Sequence, residues 1–137
     1  MRILCIDYGR KRCGVAVTDP LRLIATGLET VPTGQLFAWL EDYLAREAVS
    51  DLVLGESLAR DGSPNPIMSE VVGFERKFAR RWPGITLHRQ DEGLSSREAK
   101  RAMLDMGMRK SQRRDRARVD RIAAAIILRE FLEAQHP

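Results

Sequence analysis

The chain of 137 residues and 15.5 kDa has the length of one domain, 1–137, so a two-lobed architecture is not expected. Its 44% apolar and 31% charged residues suit a single packed core and exclude a disordered or collagen-like chain, and the longest nearly uncharged stretch, Leu23–Pro32, falls short of the ~20 apolar residues of a membrane span. Of the net charge of +4, the stretch from Arg109 to Arg121 carries +5, with seven basic residues against Asp115 and Asp120, and the rest of the chain carries −1.

Residues 2–6, Arg-Ile-Leu-Cys-Ile, are apolar on both faces, end at Asp7-Tyr8-Gly9, and predict a central, doubly covered strand. After the basic turn Arg10-Lys11-Arg12, the small and β-branched run Cys13–Thr18 predicts a second strand and Ile24–Val31 a third; their short links imply antiparallel pairing. Leu36, Phe37, Leu40, Tyr43 and Leu44 then recur at helical spacing after Thr33, a candidate N-cap. Leu52–Gly55 reads as a buried strand, followed by a loop with the turn-forming run Asp61-Gly62-Ser63-Pro64. Ile67, Val71, Phe74, Phe78 and Trp82 predict a second amphipathic helix closed by Pro83-Gly84, and Ile85–His88 a fifth strand ending near Asp91-Glu92. Ser95 and Glu98 form a capping box for a helix to about Met106, with Gly107 as its C-cap. The last helix carries Val119, Ile122, Ala123, Ile126, Ile127 and Phe131 on one stripe. The order βββαβαβαα gives a mixed five-stranded sheet with helices on both faces, the α/β arrangement of the ribonuclease H-like fold.

Several chemistries have little to work with. Cys5 and Cys13 belong to no CxxC or Cys/His cluster and are read as reduced thiols. His88 and His136 are the two histidines, too few for a histidine-based nucleophile system, which leaves carboxylates as the reactive groups. The N-terminus shows no signal-peptide pattern, because Asp7 interrupts the apolar run, and a cytoplasmic location is expected. Aromatic residues make up 6% of the chain, which argues for backbone and shape recognition of nucleic acid over base-stacking platforms; Trp39 and Trp82 are expected to pack against the core.

The acids fall where strands end or a helix begins: Asp7 after strand one, Asp91 and Glu92 after strand five, and Asp120 near the start of the last helix. Open α/β sheets bind ligands at the carboxyl ends of their strands, so these side chains are candidates to converge there. A carboxylate at a helix–sheet boundary needs a counter-charge, which a divalent cation supplies. The plain alternatives are turn chemistry for Asp7, loop acids for Asp91 and Glu92, and pairing of Asp120 with Arg116 or Arg121. Gly9 and Gly14 allow a tight hairpin that brings Arg10 and Lys11 near a phosphate.

Four segments carry a family resemblance: Ile6-Asp7-Tyr8-Gly9 with its glycine hairpin; Val53-Leu54-Gly55 with the Asp61-Gly62 loop; Asp91-Glu92-Gly93-Leu94-Ser95-Ser96 with Glu98-Ala99; and Val119-Asp120 with Ala123-Ala124 and Ile126-Ile127-Leu128. In order and spacing, over nearly the whole chain, they resemble the YqgF family, also called RuvX, the pre-16S rRNA nucleases related to Holliday junction resolvases. The resemblance implies a metal-dependent nuclease that trims the 5′ end of precursor 16S rRNA, with branched DNA as an alternative substrate. It implies Asp7, Glu92 and Asp120 as catalytic residues, with Asp91 beside them, around two Mg2+ or Mn2+ ions. The basic approach to the last helix, Lys110, Arg113, Arg114, Arg116 and Arg118, together with Arg10 and Lys11, is then the nucleic-acid contact, on a monomer or homodimer.

Three positions depart from the family pattern. Gly55-Glu56-Ser57 stands where Gly-Leu-Pro is usual, which makes Glu56 either an additional metal ligand or a solvated loop acid. Gly93 replaces an arginine after Asp91-Glu92, leaving Arg89 or Arg97 as substitutes, and Arg121 places a cation beside Asp120. These departures support a second reading, a catalytically weak or inactive RNA- or ribosome-binding module of the same fold. An ATPase-like switch, suggested by the Asp-x-Gly hairpin, lacks the second lobe that such proteins use.

Overall fold

A computed structural model describes residues 1–56, 68–91 and 116–135. The strands are β1 (Arg2–Asp7), β2 (Arg12–Thr18), β3 (Ala25–Pro32), β4 (Val49–Glu56) and β5 (Thr86–Asp91), and the helices are α1 (Leu36–Arg46), α2 (Met68–Arg81) and α3 (Arg116–Gln135). The helix expected from the Ser95/Glu98 capping box lies outside the described residues.

The five strands form one sheet in the order β3-β2-β1-β4-β5. β2 runs antiparallel to β1 and β3, while β4 is parallel to β1 and β5. This is the mixed sheet that the element order predicts. Leu4 and Ile6 of β1, Val15 and Val17 of β2 and Leu52 and Leu54 of β4 pack on one face against Leu36 and Leu40 of α1 and Val71, Phe74 and Phe78 of α2. Ile3, Cys5, Ala16 and Val53 occupy the other face under Ala124, Ile127, Leu128 and Phe131 of α3. Helices thus cover both faces, and the continuous apolar runs of β1 and β4 follow from strands with no solvated side. Each fully buried Leu, Ile or Phe in these layers contributes roughly 1.5–3 kcal/mol through removal from water.

Thr33 does not cap α1. It opens a single 3-10 turn, Thr33–Gln35, and its hydroxyl donates instead to the carbonyl of Gly9 at 2.6 Å, tying this turn to the β1–β2 hairpin. Trp39 and Trp82 pack as expected: Trp39 stacks on Tyr43, and Trp82 lies against Phe37 and Phe78.

α3 crosses β2 and β3 at two glycines. A Cβ on Gly14 would sit 2.0 Å from the carbonyl oxygen of Asp120, and one on Gly27 would sit 3.0 Å from that of Arg121. The start of the helix rests on the sheet backbone to backbone, a contact only glycine permits at position 14.

Candidate active site

Asp7 is the last residue of β1 and pairs across the ladder with Gly14 of β2. Strand alternation places Asp7 with Ile3 and Cys5 on the face covered by α3. Gly14 is also the point where the Asp120 backbone lands, so Asp7 and Asp120 flank the same glycine from β1 and α3. Both are half-buried. Their proximity registers electrostatically on Cys13, the neighbour of Gly14. Burial pushes its thiol above the ordinary range, hydrogen bonds with Thr33 and Gly9 pull the other way, and the negative charges of Asp7 and Asp120 push it up further.

The partner of Asp120 is neither Arg116 nor Arg121 but Arg12, whose Nε donates to Oδ2 at 2.9 Å. Arg12 and Gly14 are two apart on β2 and share a face, so a helix that lands on Gly14 passes beside Arg12. That alternation was the available signal.

β4 and β5 bring further acids to the same carboxyl edge of the sheet. Ile6 pairs with Leu54, and Glu56 with Asp91, at the ends of their strands. Glu92 follows Asp91 and lies outside the described residues, as does Arg97. Arg89, a candidate for the missing arginine, is held by Glu75 of α2, with Nε 3.2 Å from Oε2. Among the described residues, no three His, Cys, Asp or Glu side chains gather into a metal-binding group. Asp7 and Asp120 are two of the expected set, and their hard oxygen donors suit a divalent cation.

Of the basic residues, Arg10 and Lys11 are exposed on the β1–β2 hairpin, Arg10 with its Nε 3.9 Å from Glu70. Lys110, Arg113 and Arg114 lie outside the described residues, and Arg116 opens α3. Arg118 lines a cavity of about 400 Å3 between β3 and α3, together with Arg121 and Arg129 over an apolar floor of Ile122, Ala125 and Ile126. Sequence reasoning did not place Arg121 and Arg129 in this contact. Their spacing with Arg118, three and eleven residues on, puts all three on one helical face.

His88 is engaged away from this edge. Its Nε2 lies 2.7 Å from Oδ2 of Asp51, whose Oδ1 accepts from the Ser50 hydroxyl at 2.5 Å. Asp51 stands near the start of β4, about 16 Å along the strand from Glu56 at roughly 3.3 Å per residue.

The family model described as "RuvX: Holliday junction resolvase" matches residues 1–134. A protein of Christiangramia forsetii named "Putative pre-16S rRNA nuclease" is 44% identical over 131 residues, covering 96% of this chain and 97% of its own. One of the same name from Porphyromonas gingivalis is 46% identical over 132 residues, covering 96% of each chain. Among solved structures, T. thermophilus RuvC in complex with a Holliday junction substrate superposes with a TM-score of 0.62 at 20% identity, over 98% of this chain and 96% of that one. The strand order and this superposition give the ribonuclease H-like fold, and the match across almost the full length shows that the chain belongs to the RuvX family of Holliday junction resolvases.

Proposed function

We propose that this chain is a metal-dependent endonuclease that processes the 5′ end of precursor 16S rRNA in the cytoplasm, with four-way DNA junctions as a second substrate class. The observation that carries the reading is the placement of Asp7 and Asp120 on either side of Gly14, at the carboxyl edge of the sheet and on one face of it. Two half-buried carboxylates in such proximity repel one another unless a cation stands nearby. The names of the relatives support the reaction class and the RNA substrate.

Asp7 and Asp120 would hold Mg2+ or Mn2+, with Glu92 as a third ligand and Asp91 and Glu56 at neighbouring strand ends. When bound, such ions supply an activated water and charge stabilisation for the leaving oxygen. Arg12 fixes the orientation of the Asp120 carboxylate through its hydrogen bond to Oδ2. Arg118, Arg121 and Arg129 face a groove open to the phosphates of a passing strand, and Arg10 and Lys11 project from the hairpin at the same edge.

The test is cleavage of a precursor-16S RNA fragment and of a four-way DNA junction, with Mg2+ or Mn2+, by the wild type and by Asp7→Asn and Asp120→Asn. Metal-dependent cutting that disappears in both variants, with their folds intact, is the expected result. A wild type that cuts neither substrate overturns the reading.

One observation favours the binding-module alternative: Asp120 already has a guanidinium counter-charge from Arg12. On that reading, RNA affinity survives Asp7→Asn unchanged and the wild type cuts nothing.

A further inference from the structure

A second cavity, of about 240 Å3, opens at the same end of the sheet but on its other face, between β1, α1 and α2. Its walls are the rings of Tyr8, Phe37 and Phe74. Tyr8 and Phe74 meet with ring centroids 5.7 Å apart, and the Lys77 ammonium sits 4.1 Å from the centre of the Phe37 ring. Tyr8 is only half-buried, so part of its ring is left uncovered beside Phe37.

Two glycines create the opening. At Gly14 and Gly27 a side chain would strike the backbone of α3; at Gly34 and Gly73, which line this cavity, a Cβ would meet nothing within 4 Å. Gly73 lies inside α2, where glycine is the poorest helix former after proline, and no close packing requires it. What its missing side chain does is leave the rings accessible.

The cavity adjoins the proposed catalytic edge through the chain itself. Tyr8 follows Asp7, their Cα atoms being about 3.8 Å apart, and alternation sends the carboxylate to the α3 face and the phenol to the α1–α2 face. A strand crossing the edge at Asp7 therefore passes the mouth of the aromatic cavity. We propose that this cavity holds one unpaired nucleobase of the bound strand, stacked on the ring of Tyr8, with Phe37 and the Lys77 ammonium over it as the facing wall and Glu70 beside them. The inference rests on the nuclease reading for its ligand. Aromatic faces accept any base by stacking, and the rim offers a donor from Lys77 and an acceptor from Glu70. A low aromatic content argued against such a platform; three of the few rings present are clustered here.

The test fills the cavity without disturbing the fold. Single-stranded RNA oligonucleotides carrying 2-aminopurine at successive positions are titrated with the wild type, Gly73→Leu and Phe37→Ala in EDTA, so that binding is read without cleavage. The expected result is quenching at one position with the wild type. It is lost in both variants, with roughly tenfold weaker binding, while Gly73→Leu melts at or above the wild-type temperature. Wild-type quenching and affinity in folded Gly73→Leu overturn the proposal, as does a wild type that binds the oligonucleotides without quenching at any position or does not bind them. Position-specific quenching by a wild type that cuts no substrate sinks the nuclease reading and leaves the base pocket standing.

Discussion

Arg12 and Asp120, 108 residues apart in sequence, meet through a 2.9 Å hydrogen-bonded ion pair that joins the start of β2 to the first turns of α3. The pair is partly exposed, 32% for the arginine and 28% for the aspartate, so its contribution to stability is about 0.2–1 kcal/mol. Its larger consequence concerns the proposed metal, since a guanidinium on Asp120 would compete with a divalent cation for the same oxygen. Arg12→Gln is expected to lower the Mg2+ concentration for half-maximal cleavage by up to about fivefold, the equivalent of the upper end of that ion-pair energy. A metal titration of the cleavage rate checks this; an unchanged midpoint would show that the two cations do not compete.

Glycines at different places in this fold respond in opposite ways to the same added methyl. Gly14→Ala forces a carbon to within 2.0 Å of the Asp120 carbonyl, and the backbone must move. A loss of about 1–3 kcal/mol or more is expected, with cleavage reduced on the order of 100-fold because the proposed catalytic carboxylate of Asp120 is displaced. Gly73→Ala meets open space on a helix and is expected to gain up to about 1 kcal/mol. Urea unfolding of the two variants gives both signs directly.

The groove lined by Arg118, Arg121 and Arg129 is expected to contribute through phosphate contacts. For single-stranded RNA, each phosphate contact removed should flatten the slope of log K against log salt by about 0.7. Binding isotherms of Arg121→Ala and Arg129→Ala between about 50 and 200 mM salt test this. Turnover at saturating RNA should change little, because neither arginine contacts the proposed reacting atoms. A slope equal to the wild type removes that arginine from the interface.

Asp51 provides a pH-dependent element away from the chemistry. Burial alone would raise its carboxyl, but hydrogen bonds from Ser50 and His88 and the charges of His88 and Arg22 hold it below its ordinary value of 3.8. A folded value below the unfolded one means that the ionised group stabilises the fold fully above pH 3.8, and that this is lost as the pH falls through the lower folded value. Asp51→Asn should therefore cost about 1 kcal/mol at pH 7, approach the wild type in stability as the pH falls below the lower folded value, and cleave normally. Urea midpoints at the two pH values decide it; an equal deficit at both would make the interaction independent of charge.

The strands were legible because the middles of β1 and β4, Ile3–Ile6 and Leu52–Leu54, are covered on both faces, and apolar residues fill such positions. Their ends were less so. β4 begins at Val49 and not at Leu52, since Val49 pairs with Arg2 of β1, a partner that no local propensity announces. The carboxylates at Asp7 and Asp120 were visible as acids at strand and helix ends. The ion pair with Arg12 was not, because it depends on where α3 lands, and that is decided by the absent side chain of Gly14. Thr33 shows the same limit: its position suggested a cap, but the carbonyl of Gly9, brought near by the hairpin, takes its hydroxyl. Arg129 lies outside the basic run in sequence, but α3 gathers its arginines by face and brings it to Arg118 and Arg121.

The alternation of Asp7 and Tyr8 makes the first strand intolerant of any change in length. Deleting one residue from β1 upstream of Asp7, within Arg2–Ile6, would turn the phenol toward α3 and the carboxylate toward the aromatic side, inverting both surfaces together. Chemistry and base capture would then fail in the same molecule, although every side chain needed for each would still be present.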